Sequence, residues 1–286
     1  MEFIILANPA AGGLRSKKGR RFLEFIAAQL KCPVVGLDTR SCEELRTCAR
    51  EASKACEVLL VAGGDGTFSE VMTCCESDVI LGFLPFGSGN ALKQALGITR
   101  KLKIYLNKVL RKEYSLASVI LCNDITKAFQ ASVGMDGRVI QQQQLLARFI
   151  PGHFPAYMLA FVRVLSSFKR TTLNVWVDER YIQVFHNLTT IISRHPYYGY
   201  GLMINRSANL KDEYLHLRSI NSTLLPTLTM VAAAFLNRQG RGIFCKGKRI
   251  RISCETEQAF QCDGEFMGQG KEFGFEVLPG SVKLII

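Results

Sequence analysis

Along the first hundred residues, short apolar runs alternate with amphipathic stretches. Phe3 to Leu6, Val34 to Leu37, Val58 to Val61 and Ile80 to Leu84 are runs of branched and aliphatic side chains, and polar and apolar positions recur at helical spacing between them. Strands that alternate with helices build a parallel sheet covered by helices. From about residue 115 the rhythm changes to many short runs rich in Val, Ile, Thr, Tyr and Phe: Ser118 to Cys122, Thr172 to Val177, Tyr181 to Phe185, Thr189 to Ser193 and Leu215 to Ser219. These predict an antiparallel second domain, interrupted by helical patterns over Phe154 to Phe168 and Leu224 to Asn237. Gln141 to Gln144 reads as a solvated helix face. The expected architecture is an N-terminal α/β domain over residues 1–115 and a C-terminal antiparallel β-rich domain over residues 116–286. Two lobes are the ordinary solution for a chain of 286 residues.

Composition narrows the setting. The run Phe3 to Ala7 is too short for a secretory signal, and Leu224 to Leu236, broken by Pro226, falls short of the roughly 20 residues a spanning helix needs. No membrane-spanning segment is expected. Ten cysteines show neither paired CxxC units nor a His spacing that builds a zinc site, so a reduced, cytoplasmic chain is expected. The net charge of +12 calls for an anionic partner. Its basic residues are scattered and lack the aromatic-plus-basic signatures of nucleic-acid modules. Any single basic cluster also reads as a solvated surface, and charge alone does not choose among anionic partners; an anionic membrane surface, with peripheral association and no nucleic acid, is the expectation.

Candidate chemistry lies in the turns that follow three of the first-domain strands: Asn8-Pro9-Ala10-Ala11-Gly12-Gly13, Gly63-Gly64-Asp65-Gly66-Thr67 and Pro85-Phe86-Gly87-Ser88-Gly89-Asn90. In an open α/β sheet such turns gather at the carboxyl ends of the strands, where ligands bind. Glycines let amide groups face an anion, and a helix starting near Phe68 adds its positive end. The Asp65 carboxylate suits a metal ion, a proton or a hydrogen bond, and a helix cap is the structural alternative. Spacing excludes a P-loop, a GxGxxG turn and a GxSxG nucleophile.

In order and spacing, Asn8-Pro9 with Gly12-Gly13, the run Gly63 to Glu70, the run Leu84 to Gly97 and the late Asp263-Gly264-Glu265 resemble the diacylglycerol kinase and sphingosine kinase family. The resemblance extends to Gly134-Met135-Asp136-Gly137 and to Ala208 to Tyr214. It implies an α/β lobe that binds ATP, of the 6-phosphofructokinase and NAD kinase type, joined to a β-rich lobe, and an enzyme that phosphorylates a lipid hydroxyl. Asn8, Pro9, Ala10, Ala11, Gly12, Thr39 and the second turn from Gly63 and Gly64 through Asp65, Gly66, Thr67, Phe68, Ser69 and Glu70 would line the nucleotide, with Gly87, Ser88 and Asn90. A structural Mg²⁺ is implied near Asn209, Asp212 and Tyr214, the outer two through main-chain carbonyls. Glu265 matches the family's general base, Asp65 would organise Mg²⁺ and phosphate, and Asp136 is a substrate-side candidate. Ser88-Gly89-Asn90-Ala91 stands where diacylglycerol kinases usually carry Thr-Gly-Asn-Asp and is closer to sphingosine kinases, whereas the short chain and Gly-Gly-Asp-Gly-Thr resemble bacterial diacylglycerol kinases. Glu213 stands where the family often has Gly.

Two other readings share these features. An NAD kinase has the same Gly-Gly-Asp-Gly-Thr turn but lacks the opening Asn-Pro-x-x-Gly and the late Asp-Gly-Glu. A catalytically silent lipid- or nucleic-acid-binding protein would have little reason to hold Asp65, Asp263 and Glu265 on a cationic surface.

Overall fold

In the computed structural model, β1 (Phe3–Ala7), β2 (Val34–Val35), β3 (Val58–Gly63) and β4 (Ile80–Pro85) lie in the order β2-β1-β3-β4, every pair parallel. The structure describes residues 1–98, 102–147, 149–150, 152–221 and 242–286. Every residue of β1 and β3 is buried, as continuous apolar strands require when both faces of the sheet are covered. This unit also contains the helices α1 (Lys17–Leu30), α2 (Cys42–Ala55), α3 (Asp65–Cys74), α4 (Ala91–Ala95) and α5 (Leu102–Leu110). Serine caps start the first two: Ser16 accepts the Gly19 amide and Ser41 the Glu44 amide. Strand β2 is shorter than the run Val34 to Leu37 because Gly36, at φ 86°, turns the backbone out of the extended region.

The strand β5 (Tyr114–Cys122) leads into an antiparallel unit that contains β6 (Thr126–Ala128), β7 (Gln130–Gly134), α6 (Met135–Leu146) and α7 (His153–Ser167). The strands β8 (Thr171–Val177), β9 (Arg180–Asn187), β10 (Thr189–Ser193), β11 (Tyr197–Tyr198), β12 (Leu202–Met203), β13 (Leu215–Ile220) and β14 (Ile243–Gly247) follow. A long hairpin of β15 (Arg249–Cys262) and β16 (Glu265–Ile285) completes it. The strand order is β14-β13-β10-β7-β15-β16, and β15 pairs with β8 along its first half and with β7 along its second. Its core gathers inward-facing side chains such as Val175, Ile192, Leu217, Ile252 and Phe260. On α6, Met135 and Val139 pack with Ala160 and Val164 of α7 over Leu188 and Ile191.

The expected combination of a parallel α/β lobe and an antiparallel β-rich lobe is therefore what the chain forms. The end of β16 returns to the first sheet, where Lys283 and Leu284 pair in parallel with Ile80 and Leu81. The two compact units are thus Met1–Ser118 with Pro279–Ile286, and Val119–Leu278, whereas a division at 115/116 keeps that last segment with the second domain. The helical pattern Leu224 to Asn237 lies outside the described residues. No helix among the described residues is long and apolar enough to cross a membrane.

Candidate active site

The three glycine-bearing turns of the first unit are hydrogen-bonded to one another. Gly63 accepts the amides of Phe86 and Gly87 at 2.8 and 2.9 Å, and the Gly13 amide donates to the Phe86 carbonyl at 2.8 Å. Asn8 folds its own turn by accepting the Ala10 amide, and its Nδ2 donates to the Thr67 hydroxyl at 2.8 Å. Approach is close enough to demand glycine: a Cβ on Gly87 would lie 2.4 Å from the Cα of Gly64. Asp65 completes the assembly, since its carboxylate accepts the amides of Ala91 at 2.7 Å and Leu92 at 3.3 Å at the start of α4. Burial raises its pKa to about 6, against the pull of those two amides.

This arrangement leaves the start of α3 available. The amides of Asp65, Gly66 and Thr67 are first-turn donors without an intrahelical acceptor, and no side chain caps them from Gly64. Thr67 accepts from Asn8, so its own proton remains for an acceptor outside the turn. The Asn90 Oδ1 is buried without a partner in the same assembly, while the Ser88 side chain is exposed beside it. Amide donors and a hydroxyl proton fit a phosphorylated ligand.

Not every candidate joins this cluster. Phe68 and Ser69 are buried at 0% and 3% exposure, and the Phe68 ring packs edge-on against Phe83, so these side chains serve the core. The Glu70 carboxylate is gripped by Arg46 of α2 through Nε and, at 2.8 Å, Nη2. Thr39 lines an open hollow of about 400 Å³ with Asp38, Glu43, Glu44 and Glu51, a wall suited to hydroxyl or amine donors and repulsive to phosphate.

In the second unit Asp263-Gly264 forms the two-residue turn between β15 and β16, with φ of 43° and 83°. Such a turn needs left-handed backbone at both positions, which Asp-Gly supplies at low cost. The Asp263 carboxylate accepts the amides of Phe129 and Gln130 at 2.8 and 2.9 Å, so this Asp anchors the turn and leaves Glu265, on the exposed side, as its chemical group. A polar chain braces the turn from behind. Gly264 donates its amide to Gln261 Oε1, Gln261 Nε2 donates to the Tyr198 hydroxyl, and Tyr198 donates to Asp136 at 2.9 Å. Asp136 is raised in pKa by burial, opposed by the Tyr198 bond, and sits in the first turn of α6 as a link in this chain. Gln261 and Tyr198 carry no sequence signal, because a lone Gln or Tyr in a strand reads as ordinary surface.

The loop Asn209 to Tyr214 is organised differently from the metal site that the resemblance implies. Arg194, fully buried after β10, donates to the carbonyls of Tyr214, Asp212 and, at 3.3 Å, Asn209. Burial pulls its pKa down to about 10, partly offset by the Asp212 charge, so it remains cationic at neutral pH. The Asp212 carboxylate is already shared between the Tyr214 amide and His216 Nε2 at 2.8 Å. Although burial pushes Asp212 upward, the contact with His216 and the amides of Tyr214 and Glu213 together outweigh it and the net shift is down. With its carbonyls and carboxylate committed, this loop does not fit a metal ion. No cluster of three or more His, Cys, Asp or Glu suited to a metal occurs among the described residues.

Comparison with known proteins supplies the family context. The diacylglycerol kinase catalytic domain matches residues 2–122, and the YegS C-terminal NAD kinase beta sandwich-like domain matches residues 130–286. A diacylglycerol kinase of Staphylococcus aureus (strain MRSA252) is 24% identical over 278 residues, covering 93% of this chain and 86% of that protein. An uncharacterised protein of Synechocystis is 22% identical over 219 residues, covering 73% of this chain and 50% of that protein. Among solved structures, a diacylglycerol kinase from Bacillus anthracis superposes with a TM-score of 0.74 at 17% identity, covering 99% of this chain and 96% of that one. An NAD kinase from Archaeoglobus fulgidus in complex with ATP shares the fold at a TM-score of 0.55 and 12% identity, covering 100% of this chain and 94% of that one.

Proposed function

Because the chain belongs to the diacylglycerol kinase family of phosphotransferases, we propose that it transfers the γ-phosphate of ATP to a hydroxyl group of a lipid, diacylglycerol or a sphingoid-type lipid. The observation that carries this reading is the start of α3, where first-turn amides lack a side-chain cap while Asp65 is turned away to hold α4. The Asp65 carboxylate, which would repel a phosphate, is engaged with the amides of Ala91 and Leu92.

On this reading the nucleotide phosphates lie against the amides of Asp65 to Thr67 and the Thr67 hydroxyl. The nucleoside extends toward donors and acceptors of the Asn8 to Gly12 turn and Thr39. A Mg²⁺ ion bound to the nucleotide phosphates would offset their charge. The lipid hydroxyl oxygen attacks the γ-phosphorus, the bond to the β-phosphate oxygen breaks, and ADP departs. Glu265 accepts the hydroxyl proton as attack proceeds, because an alcohol is a poor nucleophile until its proton is leaving. The net charge of +12 brings the protein to an anionic membrane surface from the cytoplasmic side, where such lipids reside.

The experiment is transfer of labelled phosphate from γ-labelled ATP to diacylglycerol, sphingoid bases, ceramide and polyprenols in mixed micelles, with NAD as a parallel acceptor. A phosphorylated lipid that depends on Glu265 is expected. Label on NAD and on no lipid would replace the reading with an NAD kinase, and label on neither acceptor class would leave a silent binding protein.

A further inference from the structure

The loop Asn209 to Tyr214 is closed around a positive charge that the chain supplies itself. Three of its main-chain carbonyls, those of Asn209, Asp212 and Tyr214, accept from the single guanidinium of Arg194. Carbonyl dipoles that converge on one centre repel each other unless a cation stands there, which is why such rings ordinarily mark metal sites. The side chains of Asn209 and Asp212 are engaged in other hydrogen bonds. Asn209 Oδ1 accepts the Lys211 amide at 3.0 Å, Asp212 Oδ1 the Tyr214 amide at 3.2 Å, and Asp212 Oδ2 meets His216 at 2.8 Å.

We propose that the Arg194 guanidinium is a built-in replacement for a structural divalent cation, so that this lobe holds its shape without a bound metal. A guanidinium suits the task because its planar fork reaches several acceptors at once and keeps its charge when buried. A second cation at the same carbonyls would meet strong repulsion in a site shielded from water. The replacement also ties the loop to the turn that bears Glu265. The Arg194 amide donates to the Phe129 carbonyl at 2.8 Å, and the Phe129 amide donates to Asp263 at 2.8 Å. Loosening the loop is therefore transmitted through one residue to the anchor of that turn.

The inference stands apart from the identity of the acceptor and is tested without nucleotide. Full-length protein is gel-filtered, its metal content is measured, and thermal melting is followed in EDTA and then with millimolar Mg²⁺ or Ca²⁺. The wild type should carry no stoichiometric metal and melt at the same temperature throughout. Arg194→Ala should melt several degrees lower in EDTA and recover part of the loss with Mg²⁺ or Ca²⁺. A stoichiometric metal in the wild type whose removal lowers the melting temperature would overturn the proposal. So would an alanine variant that melts like the wild type in EDTA, or one that neither ion stabilises, since Arg194 would then be an ordinary buried donor. Should the alanine variant fail to fold, the wild-type metal content and melting decide alone.

Discussion

Asp65 and Ala91 stand 26 residues apart and are joined by a hydrogen bond of 2.7 Å from the Ala91 amide to Oδ2. Through it the turn after β3 holds the start of α4, and the same carboxylate takes the Leu92 amide. Asp65→Asn keeps one acceptor but turns an NH₂ group toward an amide, so a loss of about 1–3 kcal/mol is expected. The deficit should depend on pH in a defined direction. Burial raises the Asp65 pKa from 3.8 to about 6, so between those values the native state keeps a proton that the unfolded chain releases. Its contribution to stability is thus greatest below the unfolded value, declines as pH rises through that window, and levels off above it. Urea unfolding of both proteins should show a larger deficit for the variant near pH 4 than near pH 7. A deficit that grows with pH would mean that the folded carboxyl is not raised.

Gly87 and Gly89 lie two residues apart yet should respond oppositely. A Cβ on Gly87 would meet the Gly64 Cα at 2.4 Å and Asn90 Oδ1 at 2.8 Å, whereas one on Gly89 would meet nothing within 4 Å. Gly87→Ala must push the turns after β3 and β4 apart, which overpacking places at about 1–3 kcal/mol. Gly89→Ala should melt like the wild type. If the open space beside Gly89 receives nucleotide, that variant alone will combine wild-type stability with weaker ATP binding by calorimetry. Equal melting of the two variants would show that the turns do not interlock as described.

The sequence made the parallel strands and their glycine turns legible because both carry local signals: short branched runs, and residues that tolerate unusual backbone. It left the role of Asp65 open among metal ligand, proton acceptor and cap, since the amides it holds belong to another turn. Arg194 was invisible for a related reason. Its partners are main-chain carbonyls, which every residue has, and an Arg at a strand end reads as solvent-facing. The hairpin of β15 and β16 was hidden by the polar and Gly positions along it, such as Glu255 to Gln258 and Gly268 to Gly270, although its Asp263-Gly264 turn stood out. The start of α6 was masked by Gly134, whose φ of 117° serves the passage from β7 into the helix.

Contact with a lipid surface has a specific candidate in α7. Tyr157 and Phe161 pack toward the core, while Phe154, Met158, Leu159 and Val162 are exposed at 40% or more and recur at helical spacing. Together with a net charge of +12, this face should bind anionic vesicles reversibly, at about 1 kcal/mol per well-placed basic residue. Sedimentation with vesicles should show release as salt rises. Val162→Asp should weaken vesicle binding while leaving melting unchanged, because the side chain is 58% exposed. Binding that ignores both salt and this substitution would move the membrane contact elsewhere.

Glu265 follows a turn whose backbone is fixed twice, by Asp263 on the amides of Phe129 and Gln130 and by Gln261 on the amide of Gly264. Such fixation separates position from chemistry, so the two can be removed independently. Glu265→Gln keeps shape and polarity and removes the proton acceptor. On the proposed mechanism it should lower kcat by about 10² to 10⁴ with ATP affinity nearly unchanged, because the phosphate donors are on α3. Asp263→Ala instead strands two amides at the entrance to β7, so it should cost about 1–3 kcal/mol in stability and reduce kcat by displacing Glu265. Melting curves and steady-state kinetics distinguish the pair: a catalytic deficit at wild-type stability for Glu265→Gln, and both deficits together for Asp263→Ala. A Glu265→Gln variant with wild-type kcat and weakened ATP binding would assign Glu265 to the nucleotide, and the search for the base would move to another carboxylate.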